Sequence, residues 1–487
     1  MIKHSVLLPL FSILSLIYTQ NINYNINLIH NITFENSSNN FGVSDVWGYT
    51  DETGIEYAIV GYQFGTSIFN VSLESPLEIA NILGPSNGDY YFHRDYKTYN
   101  YFLYIVNEMY GGDIGMQVID LSPLPDNPPI QLDTYNLIGQ SHNLWIDQSG
   151  FAFIEHYSGD NIHIVNLLNP SIPIYESSFG NQALNCHDIY TKNNIAYISE
   201  GWSNEFGIYD ISDILSPQKL AGIPSFGYAH NAWLNSSGTH LITGEETVGM
   251  TIKIWDIQDH TNINLVGEYL GENSLAHNVH VKDDFIYISH YTTGLKIVDI
   301  WDPSKPIEVA AYDTYPDDDN DGFYGCWGAY PFTSNGYVYA SDMQYGLFIL
   351  QFDNIEAGWV SGTISNGVPL ANVEIQSLLN GKVFTSDING YYQFGFPEGE
   401  QEFTFRSNGD LLGIQTIPIS PHVTTEWNIT FGINGDINED GLLNVLDIVQ
   451  LVNQILTNEY NQTSDINQDG VLNILDIVQL VNIILDN

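Results

Sequence analysis

The chain has 487 residues and is strongly acidic, with 11 Lys and Arg against 58 Asp and Glu and a formal net charge of −47. This charge would repel a polyanion, which argues against nucleic acid or an anionic membrane surface as a partner. The same excess suits divalent cations or a saline setting, and it would equally keep a secreted protein soluble. Abundant Tyr, Phe, Ile and Val, with 42 Gly, favour a mostly β body.

The N-terminus has the pattern of a secretory signal peptide, which we place over residues 1–20. Lys3 and His4 precede an apolar run over residues 6–17, and polar residues follow. The run is too short to span a bilayer, and no later segment is long and apolar enough to do so. We therefore expect a protein without a membrane span that is secreted or attached to the cell surface. Two cysteines are too few for a disulfide framework.

Residues 21–352 carry a repeated motif of about five residues, rich in β-branched and aromatic side chains and anchored by one polar residue. The anchors recur at steps of 43 to 52 residues and are Asn70, Asp120, Asn166, Asp210, Asp256, Asp299 and Gln351. A period of 40–50 residues built from short strands is typical of a propeller blade. Seven copies predict a seven-bladed β-propeller, whose function should lie where the blades converge.

Histidines recur at the start of the first strand of each unit. The residues at this position are Trp47, His93, His142, His187, His230, His277 and Trp327, and polar neighbours often follow them. The second strands end at Glu108, Glu155, Glu200, Glu245, His290 and Asp342. First strands line the channel of a propeller, and antiparallel pairing returns the end of the second strand to the level where the first began. We therefore expect both sets of residues on one face.

Two interpretations of this ring stay open. Imidazoles with carboxylate neighbours are ligands for Zn, Fe, Cu or Mn, so the ring is a candidate site for a transition metal or another ligand. Three or four histidines at most could reach one ion across a seven-bladed channel. Alternatively, each histidine hydrogen-bonds to the backbone of the next blade and closes the ring.

The repeat region resembles the choice-of-anchor B propellers with LVIVD repeats. The resemblance rests on the repeated Ile-Val-Asp motifs, the His-Asn pairs, and the run Gly325-Cys-Trp-Gly-Ala-Tyr-Pro-Phe332 followed by Ser341-Asp342 and Gly346-Leu347. It implies an exported propeller joined to a C-terminal anchor, and it supplies no activity. The region is similar, more distantly, to propeller metalloenzymes with axial histidines, such as the selenium-binding-protein group and the carotenoid oxygenases.

An acidic run before the last unit copies the start of a calcium loop. Asp317, Asp319 and Asp321 occupy the odd positions, but Gly325 and Gly328 stand where later ligands belong. The run is a candidate partial calcium site, and a solvated acidic loop is the alternative.

Residues 354–432 have short alternating strands and an Asn-Gly hairpin turn at Asn389-Gly390. With Gly362-Thr363 and the run from Pro369 to Val373, they resemble the carboxypeptidase-regulatory-like β-sandwich. That resemblance implies a spacer, and no catalytic residue stands out.

Residues 434–487 contain two copies of one calcium-loop pattern, 29 residues apart. Oxygen ligands at positions 1, 3, 5, 7, 9 and 12 are what Ca²⁺ prefers, and position 7 offers its backbone carbonyl. The predicted ligands are Asp436, Asn438, Asp440, Leu442, Asn444 and Asp447 in the first loop, and Asp465, Asn467, Asp469, Val471, Asn473 and Asp476 in the second. Each loop runs into an amphipathic helix, so we expect two bound Ca²⁺ ions in a small α-helical unit.

The paired loop–helix pattern resembles the type I dockerin, which implies a cohesin-like module or a cell-surface scaffold as partner. Val445, Leu446, Ile474 and Leu475 occupy the recognition positions 10 and 11, where cellulosomal dockerins commonly have Ser-Thr-like pairs.

Together these patterns predict a secreted, calcium-dependent attachment protein whose propeller face binds a ligand, such as a polysaccharide or a small molecule. The alternative is a metal-dependent propeller enzyme, an oxidoreductase or a polysaccharide-active hydrolase, that the dockerin delivers.

Overall fold

The computed structural model describes residues 23–35, 42–85, 93–109, 114–155, 162–180, 186–271, 275–317, 320, 322–432, 435–438, 440, 442–457, 459–467 and 469–486. The predicted signal peptide, Asp319 and Asp321 lie outside these residues. The described chain is mostly β, with 36 strands and two α-helices.

Strand β1 (Ile26–Ile32) precedes six antiparallel sheets of four strands each, which follow one another along the chain. The first three are β2–β5 (Val43–Thr50, Glu56–Tyr62, Gly65–Asn70, Leu77–Leu83), β6–β9 (Arg94–Tyr99, Phe102–Asn107, Gln117–Asp120, Ile130–Gln131) and β10–β13 (Leu144–Ile146, Phe151–Glu155, Ile162–Asn166, Ile174–Phe179). The next three are β14–β17 (Asp188–Lys192, Ile195–Ser199, Glu205–Asp210, Gln218–Pro224), β18–β21 (Ala229–Leu234, His240–Glu245, Ile252–Asp256, Asn264–Tyr269) and β22–β25 (Asn278–Lys282, Phe285–Ser289, Leu295–Asp299, Ile307–Tyr312).

A further sheet joins the two ends of this region. It contains β26–β28 (Cys326–Tyr330, Tyr337–Asp342, Gly346–Phe352), and β1 pairs antiparallel with β28 as its outer strand. The first strands of neighbouring sheets contact one another in a closed circle, β2–β6–β10–β14–β18–β22–β26 and back to β2. This arrangement is that of a β-propeller, in which the first strands line the axis.

The anchoring residue of each repeat makes the turn after the third strand. Its side-chain oxygen accepts the backbone N–H two residues on, an Asx turn. The bonds run from Ser72 to Asn70, Ser122 to Asp120, Leu168 to Asn166, Ser212 to Asp210, Gln258 to Asp256 and Trp301 to Asp299, at 2.7–3.0 Å. Gln351 breaks the motif where no fourth strand follows, because β1 takes that place.

Two further sheets follow, with β29 (Ala357–Ser365), β32 (Tyr391–Pro397), β35 (Thr424–Glu426) and β36 (Ile429–Thr430) in one, and β30 (Glu374–Ser377), β31 (Val383–Thr385), β33 (Gly399–Ser407) and β34 (Asp410–Ile419) in the other. They share one core that includes Val360, Ile375, Phe394 and Phe403. Gly390 has φ +74° in the predicted Asn-Gly turn, a conformation that glycine adopts without strain.

This two-sheet unit packs against the propeller sheet β22–β25. The Ala357 N–H donates to Asp299 at 2.7 Å, the ring of Trp301 stacks on that of His422 at 4.3 Å, and Lys382 pairs with Glu308 at 3.4 Å.

The C-terminal helices are α1 (Val445–Thr457) and α2 (Ile474–Asp486), with a short 3-10 helix (Gln462–Ser464) between them. Ile437 and Ile466 from the loops pack with Leu451 and Leu480 from the helices in a small core. Among the described helices, none is long and apolar enough to cross a membrane.

Candidate functional site

Six aromatic side chains form a closed ring at the propeller axis. The order is His93, His142, His187, His230, His277 and Trp327, and the distances between neighbouring ring centroids are 3.9, 4.4, 4.2, 4.5 and 4.4 Å, with 5.5 Å from Trp327 back to His93. All five predicted histidines therefore meet at one level.

Trp47, the seventh residue predicted for this ring, lies elsewhere. Its indole packs on Tyr330 and donates a hydrogen bond to Thr98. Asp45, two residues earlier, lines the axial cavity instead. Asp45 and Trp47 stand 48 and 46 residues before His93, and both steps fall within the range of the repeat, so spacing alone could not choose between them.

Three of the histidines bond to the backbone of the next sheet. Nε2 of His93 donates to the carbonyl of His142 at 2.8 Å, Nδ1 of His187 donates to that of His230 at 3.1 Å, and Nδ1 of His277 donates to that of Trp327. A carbonyl can only accept, so the bonded nitrogen carries the proton and the other nitrogen keeps its lone pair. These bonds close the ring and also fix the tautomer of each imidazole.

His142 is different because it pairs with a carboxylate. Its Nδ1 lies 2.6 Å from Oε1 of Glu108, and its backbone N–H donates to Glu155 at 3.0 Å. Burial alone lowers the pKa of His142, but the hydrogen bond and charge of Glu108 outweigh it and raise the pKa to about 9. Burial raises the pKa of Glu155 to about 8.

The other ring histidines are neutral at neutral pH. Burial is the main cause: it lowers the pKa of His93 to about 4 and that of His277 to about 3, and it holds the pKa of His187 and His230 well below the usual range. Neutral imidazoles with a fixed lone pair are the form that binds metals.

Four predicted second-strand residues do not reach the ring and fix local structure instead. Glu200 bonds to Tyr209 and Lys219, and Glu245 bonds to Ser225 and Lys253. His290 bonds to Thr293, and Asp342 accepts from Thr314. These second-strand ends bond within or next to their own sheets, and among the described residues no hydrogen bond or ion pair joins any of the four to a ring imidazole.

Glu246, which the repeat spacing did not single out, does reach the ring. Its Oε2 lies 3.8 Å from Nε2 of His230, and its Oε1 accepts the hydroxyl of Tyr291. Side chains alternate along an extended chain, so Glu246 faces away from the side that Glu245 occupies. Burial raises the pKa of Glu246 to about 6. His230, Glu246 and His277 offer ligand atoms that all lie within 4.8 Å of one another.

A second polar layer beneath the histidines links the sheets. Asp95, Asn143 and Asn231 accept the backbone N–H groups of Leu144, Ile189 and Val279, each in the next unit, at 2.8, 3.3 and 2.9 Å. The polar residues that follow the histidines therefore satisfy buried backbone groups.

Two aromatic side chains extend outward from the histidine ring. The ring of Tyr228 lies 5.1 Å from that of His187, and Trp202 packs on Tyr228 at 4.8 Å. Trp202 and Phe226 are 73% and 71% exposed.

The two C-terminal loops have matching geometry. The carboxylate of Asp447 accepts N–H groups of Ile437 and Asn444, at 2.9 and 2.8 Å, and that of Asp476 accepts those of Asn467 and Asn473. Each loop therefore folds around the carboxylate at its position 12, Asp447 or Asp476. The other predicted ligands lie along the same loops. In the first loop, the backbone N–H groups of Asp440 and Leu442 donate to the side chains of Asp436, Asn438 and Asp440. In the second loop, those of Asp469 and Val471 donate to Asp465, Asn467 and Asp469.

The chemistry of these loops fits calcium. Residues 434–487 contain nine Asp and Glu and no Lys, Arg or His. Asp447 and Asp476 are fully buried, and a bound cation would offset the cost of burying their negative charge. Hard oxygen donors with no nitrogen or sulfur among them are suited to Ca²⁺.

The predicted partner-binding residues are on the surface. Val445, Leu446, Ile474 and Leu475 are 63%, 55%, 69% and 58% exposed at the first turns of α1 and α2. In the acidic run before the last sheet, Asp317 accepts the hydroxyl of Tyr345 at 2.7 Å. Because Asp319 and Asp321 are outside the described residues, the partial calcium loop stays a prediction.

Comparison with known families gives two matches. Residues 275–314 match the LVIVD repeat, and residues 434–485 match the dockerin type I domain. No curated protein matches the chain. Two similar solved structures are a streptogramin B lyase, at 12% identity and a TM-score of 0.49 over 68% of this chain and 99% of that one, and the computationally designed Ika8 protein, at 10% identity and a TM-score of 0.43 over 65% and 98%.

The family matches confirm the LVIVD repeat and the type I dockerin domain that the sequence motifs predict, whereas the choice-of-anchor B group and the family of the sandwich stay predictions. Type I dockerin domains bind calcium, and a dockerin implies a cohesin partner. The chain thus combines a β-propeller that carries an LVIVD repeat with a calcium-binding dockerin domain at residues 434–485.

Proposed function

We propose that this chain is a secreted attachment protein. A seven-bladed propeller over residues 21–352 is the head that binds a ligand, a sandwich over 354–432 is a spacer, and a dockerin over 434–487 attaches the chain to a cohesin-like module of a scaffold or cell surface. Two Ca²⁺ ions order the dockerin. The single observation that carries the proposal is the pair of matching loops that hold fully buried carboxylates beside exposed apolar pairs.

The exposed pairs support protein binding because their apolar area is not needed for the local core. Val445 and Ile474 occupy the same position in the two repeats, as do Leu446 and Leu475, and each helix buries other residues. Exposed apolar residues grouped in this way favour a protein partner. Apolar pairs at these positions favour a cohesin with an apolar contact surface.

The propeller head is suited to a ligand at its histidine face. Trp202, which packs on Tyr228 next to His187, offers exposed aromatic surface near the histidines, and aromatic faces are common contacts for sugar rings and other flat ligands. Polysaccharide is therefore the first ligand class to test.

The test of attachment is capture of the full chain on immobilised cohesin modules, with Ca²⁺ and then with a chelator. We expect capture only with Ca²⁺, and a loss of at least tenfold in affinity when Val445, Leu446, Ile474 and Leu475 are all changed to Ser. A matched control changes Leu378 and Val383, exposed apolar residues of the sandwich, to Ser. Capture that ignores Ca²⁺, or that the control weakens equally, would overturn the attachment function.

The test of the head measures binding of the full chain to soluble xylan and β-glucan. Trp202→Ala should weaken binding at least tenfold if the histidine face is the ligand surface. Leu215→Ala, also an exposed apolar residue of the propeller, is the control. Unchanged binding in Trp202→Ala would place the ligand elsewhere.

A further inference from the structure

We infer that His230, Glu246 and His277 form a binding site for one divalent transition metal ion, such as Zn²⁺, at the propeller axis. This inference does not depend on the attachment function, since the site is far along the chain from the dockerin loops. It rests on the tautomers of the two histidines, the orientation of the Glu246 carboxylate and the distances between the three ligand atoms.

The tautomer of His277 leaves one nitrogen ready to bind a metal. Its Nδ1–H donates to the carbonyl of Trp327, so Nε2 carries the lone pair. Metal-binding histidines commonly have this arrangement, with the second nitrogen held by a carbonyl or carboxylate. His230 is 2% exposed, and its Nδ1 makes no hydrogen bond of normal geometry. The backbone group that interacts with its ring is that of His277.

The carboxylate of Glu246 is oriented by a second group. The hydroxyl of Tyr291, itself buried, donates to Oε1, and Oε2 is left facing Nε2 of His230. A carboxylate with one oxygen fixed and the other directed at an imidazole is arranged as a single-oxygen metal ligand.

The spacing of the three groups fits a small ion. Metal–ligand distances of about 2.0–2.2 Å at tetrahedral angles place neighbouring ligand atoms roughly 3.4 Å apart. Oε2 of Glu246 and Nε2 of His230 are 3.8 Å apart, and all three ligand atoms lie within 4.8 Å of one another. Small rotations of the side chains would bring them to an ion, without movement of the strands.

The rest of the ring shows why the site lies here. His93 and His187 also donate to backbone carbonyls, His93 through Nε2 and His187 through Nδ1, but the described structure places no carboxylate within ion-pair distance of either imidazole. His142 has a carboxylate, but its Nδ1 is occupied by Glu108 at 2.6 Å, which makes an ion pair. Among the residues that the structure describes, only His230 and His277 are two imidazoles that meet a carboxylate at this spacing.

The donor set selects the class of metal. Two imidazoles and one carboxylate suit Zn²⁺ and neighbouring transition metals, whereas the all-oxygen loops of the tail suit Ca²⁺. Three protein ligands leave a fourth position, on the side of the axial cavity, for water or an oxygen atom of a ligand.

The experiment titrates the full chain with Zn²⁺ in saturating Ca²⁺, so that the dockerin loops are filled. Calorimetry and elemental analysis should give one Zn²⁺ per chain, and Co²⁺ in its place should give the visible absorption of a low-coordinate site. Glu246→Gln, which keeps an acceptor for Tyr291, and His277→Ala should each weaken Zn²⁺ binding at least tenfold. His93→Gln, in the same ring, is the matched control.

A thermal melt of each variant checks folding, and Glu246→Gln keeps the test valid if His277→Ala does not fold. No stoichiometric Zn²⁺ in the parent chain, or equal weakening by His93→Gln, would overturn the inference. A Co²⁺ spectrum that Glu246→Gln leaves unchanged would remove the carboxylate from the site.

Discussion

The two repeat systems of this molecule use repetition in opposite ways. In the dockerin, the residues that recur are the ones that bind the ion: Asp447 and Asp476 stand 29 residues apart and make the same backbone bonds. In the propeller, the recurring histidines close the ring, and the candidate metal site arises where two of them, His230 and His277, meet Glu246, a residue outside the repeat. Glu246 belongs to no recurring position. Repetition therefore identifies every ion ligand in the tail, whereas in the head it identifies the histidine ring but not the carboxylate that completes the candidate site.

The anchoring Asp and Asn residues illustrate the second case. Six of them make the Asx turn after the third strand, and Gln351 replaces them in the sheet that needs no such turn. The motif thus marks a structural requirement of each sheet.

The largest effect is expected from the calcium ligands at position 12. Changing Asp447 and Asp476 to Ala removes the carboxylate around which each loop closes, so the affinity for Ca²⁺ should fall by at least about 100-fold. Because ion binding and folding are coupled, the helical signal of the tail should also be lost. Calorimetry and far-UV circular dichroism measure the two effects. Asp410→Ala, on an exposed strand of the sandwich, is the control. If the chain with both Asp447 and Asp476 changed to Ala still bound two Ca²⁺ ions, the claim that the recurring residues of the tail bind the ions would be contradicted.

The next effect concerns the ion pair between His142 and Glu108 in the histidine ring. Glu108→Gln should lower the free energy of unfolding by roughly 2 kcal/mol near pH 6, because a charge-assisted hydrogen bond to a buried imidazole is weakened. The folded-state pKa of His142, about 9, lies above its ordinary value of 6.5. The contribution is therefore complete below about pH 6.5 and is lost as the pH rises through about 9.

Denaturant unfolding of the parent and Glu108→Gln chains at pH 6 and above pH 9.5 measures this difference. If the free energy of unfolding differed between the two chains by the same amount at both pH values, the pair would contribute packing and no charge interaction.

A smaller effect on stability should distinguish Asp299, an anchoring residue that makes the Asx turn, from Gln351, which does not. Asp299→Ala loses the bonds to Trp301 and Ala357, the second of which connects the sandwich, so it should lower the free energy of unfolding by roughly 1.5 kcal/mol. Gln351→Ala should change stability by less than about 0.5 kcal/mol. Thermal unfolding of the two variants side by side measures this. Equal losses would mean that the motif does more than make the turn.

The smallest effect on stability is expected at the partner surface. Val445→Ser with Leu446→Thr should leave the melting of the tail within about 0.5 kcal/mol of the parent, since both residues are exposed. Ca²⁺ titration of the double variant should match the parent. A loss of Ca²⁺ affinity would show that these residues support the loop instead of a partner.

The sequence predicted much of the fold, because the periods that define it are local. The mostly β body, the repeat, the two loops and the positions of the five axial histidines all follow from spacing. The position of Trp47 did not, because Asp45, which lines the cavity, and Trp47 both stand at an acceptable repeat spacing from His93. Nor did Glu246, because choosing between two adjacent glutamates requires the face of the strand on which each lies. The bonds of Glu200 and Glu245 depend on residues of other strands.

The most direct test of the account is a Ca²⁺ titration of the full chain with calorimetry and circular dichroism recorded together. The account predicts two bound ions, a gain of helical signal that a chelator reverses, and an unchanged thermal transition of the propeller. A helical signal that is the same with Ca²⁺ and with chelator, with no ion bound, would contradict the claim that calcium orders the attachment domain.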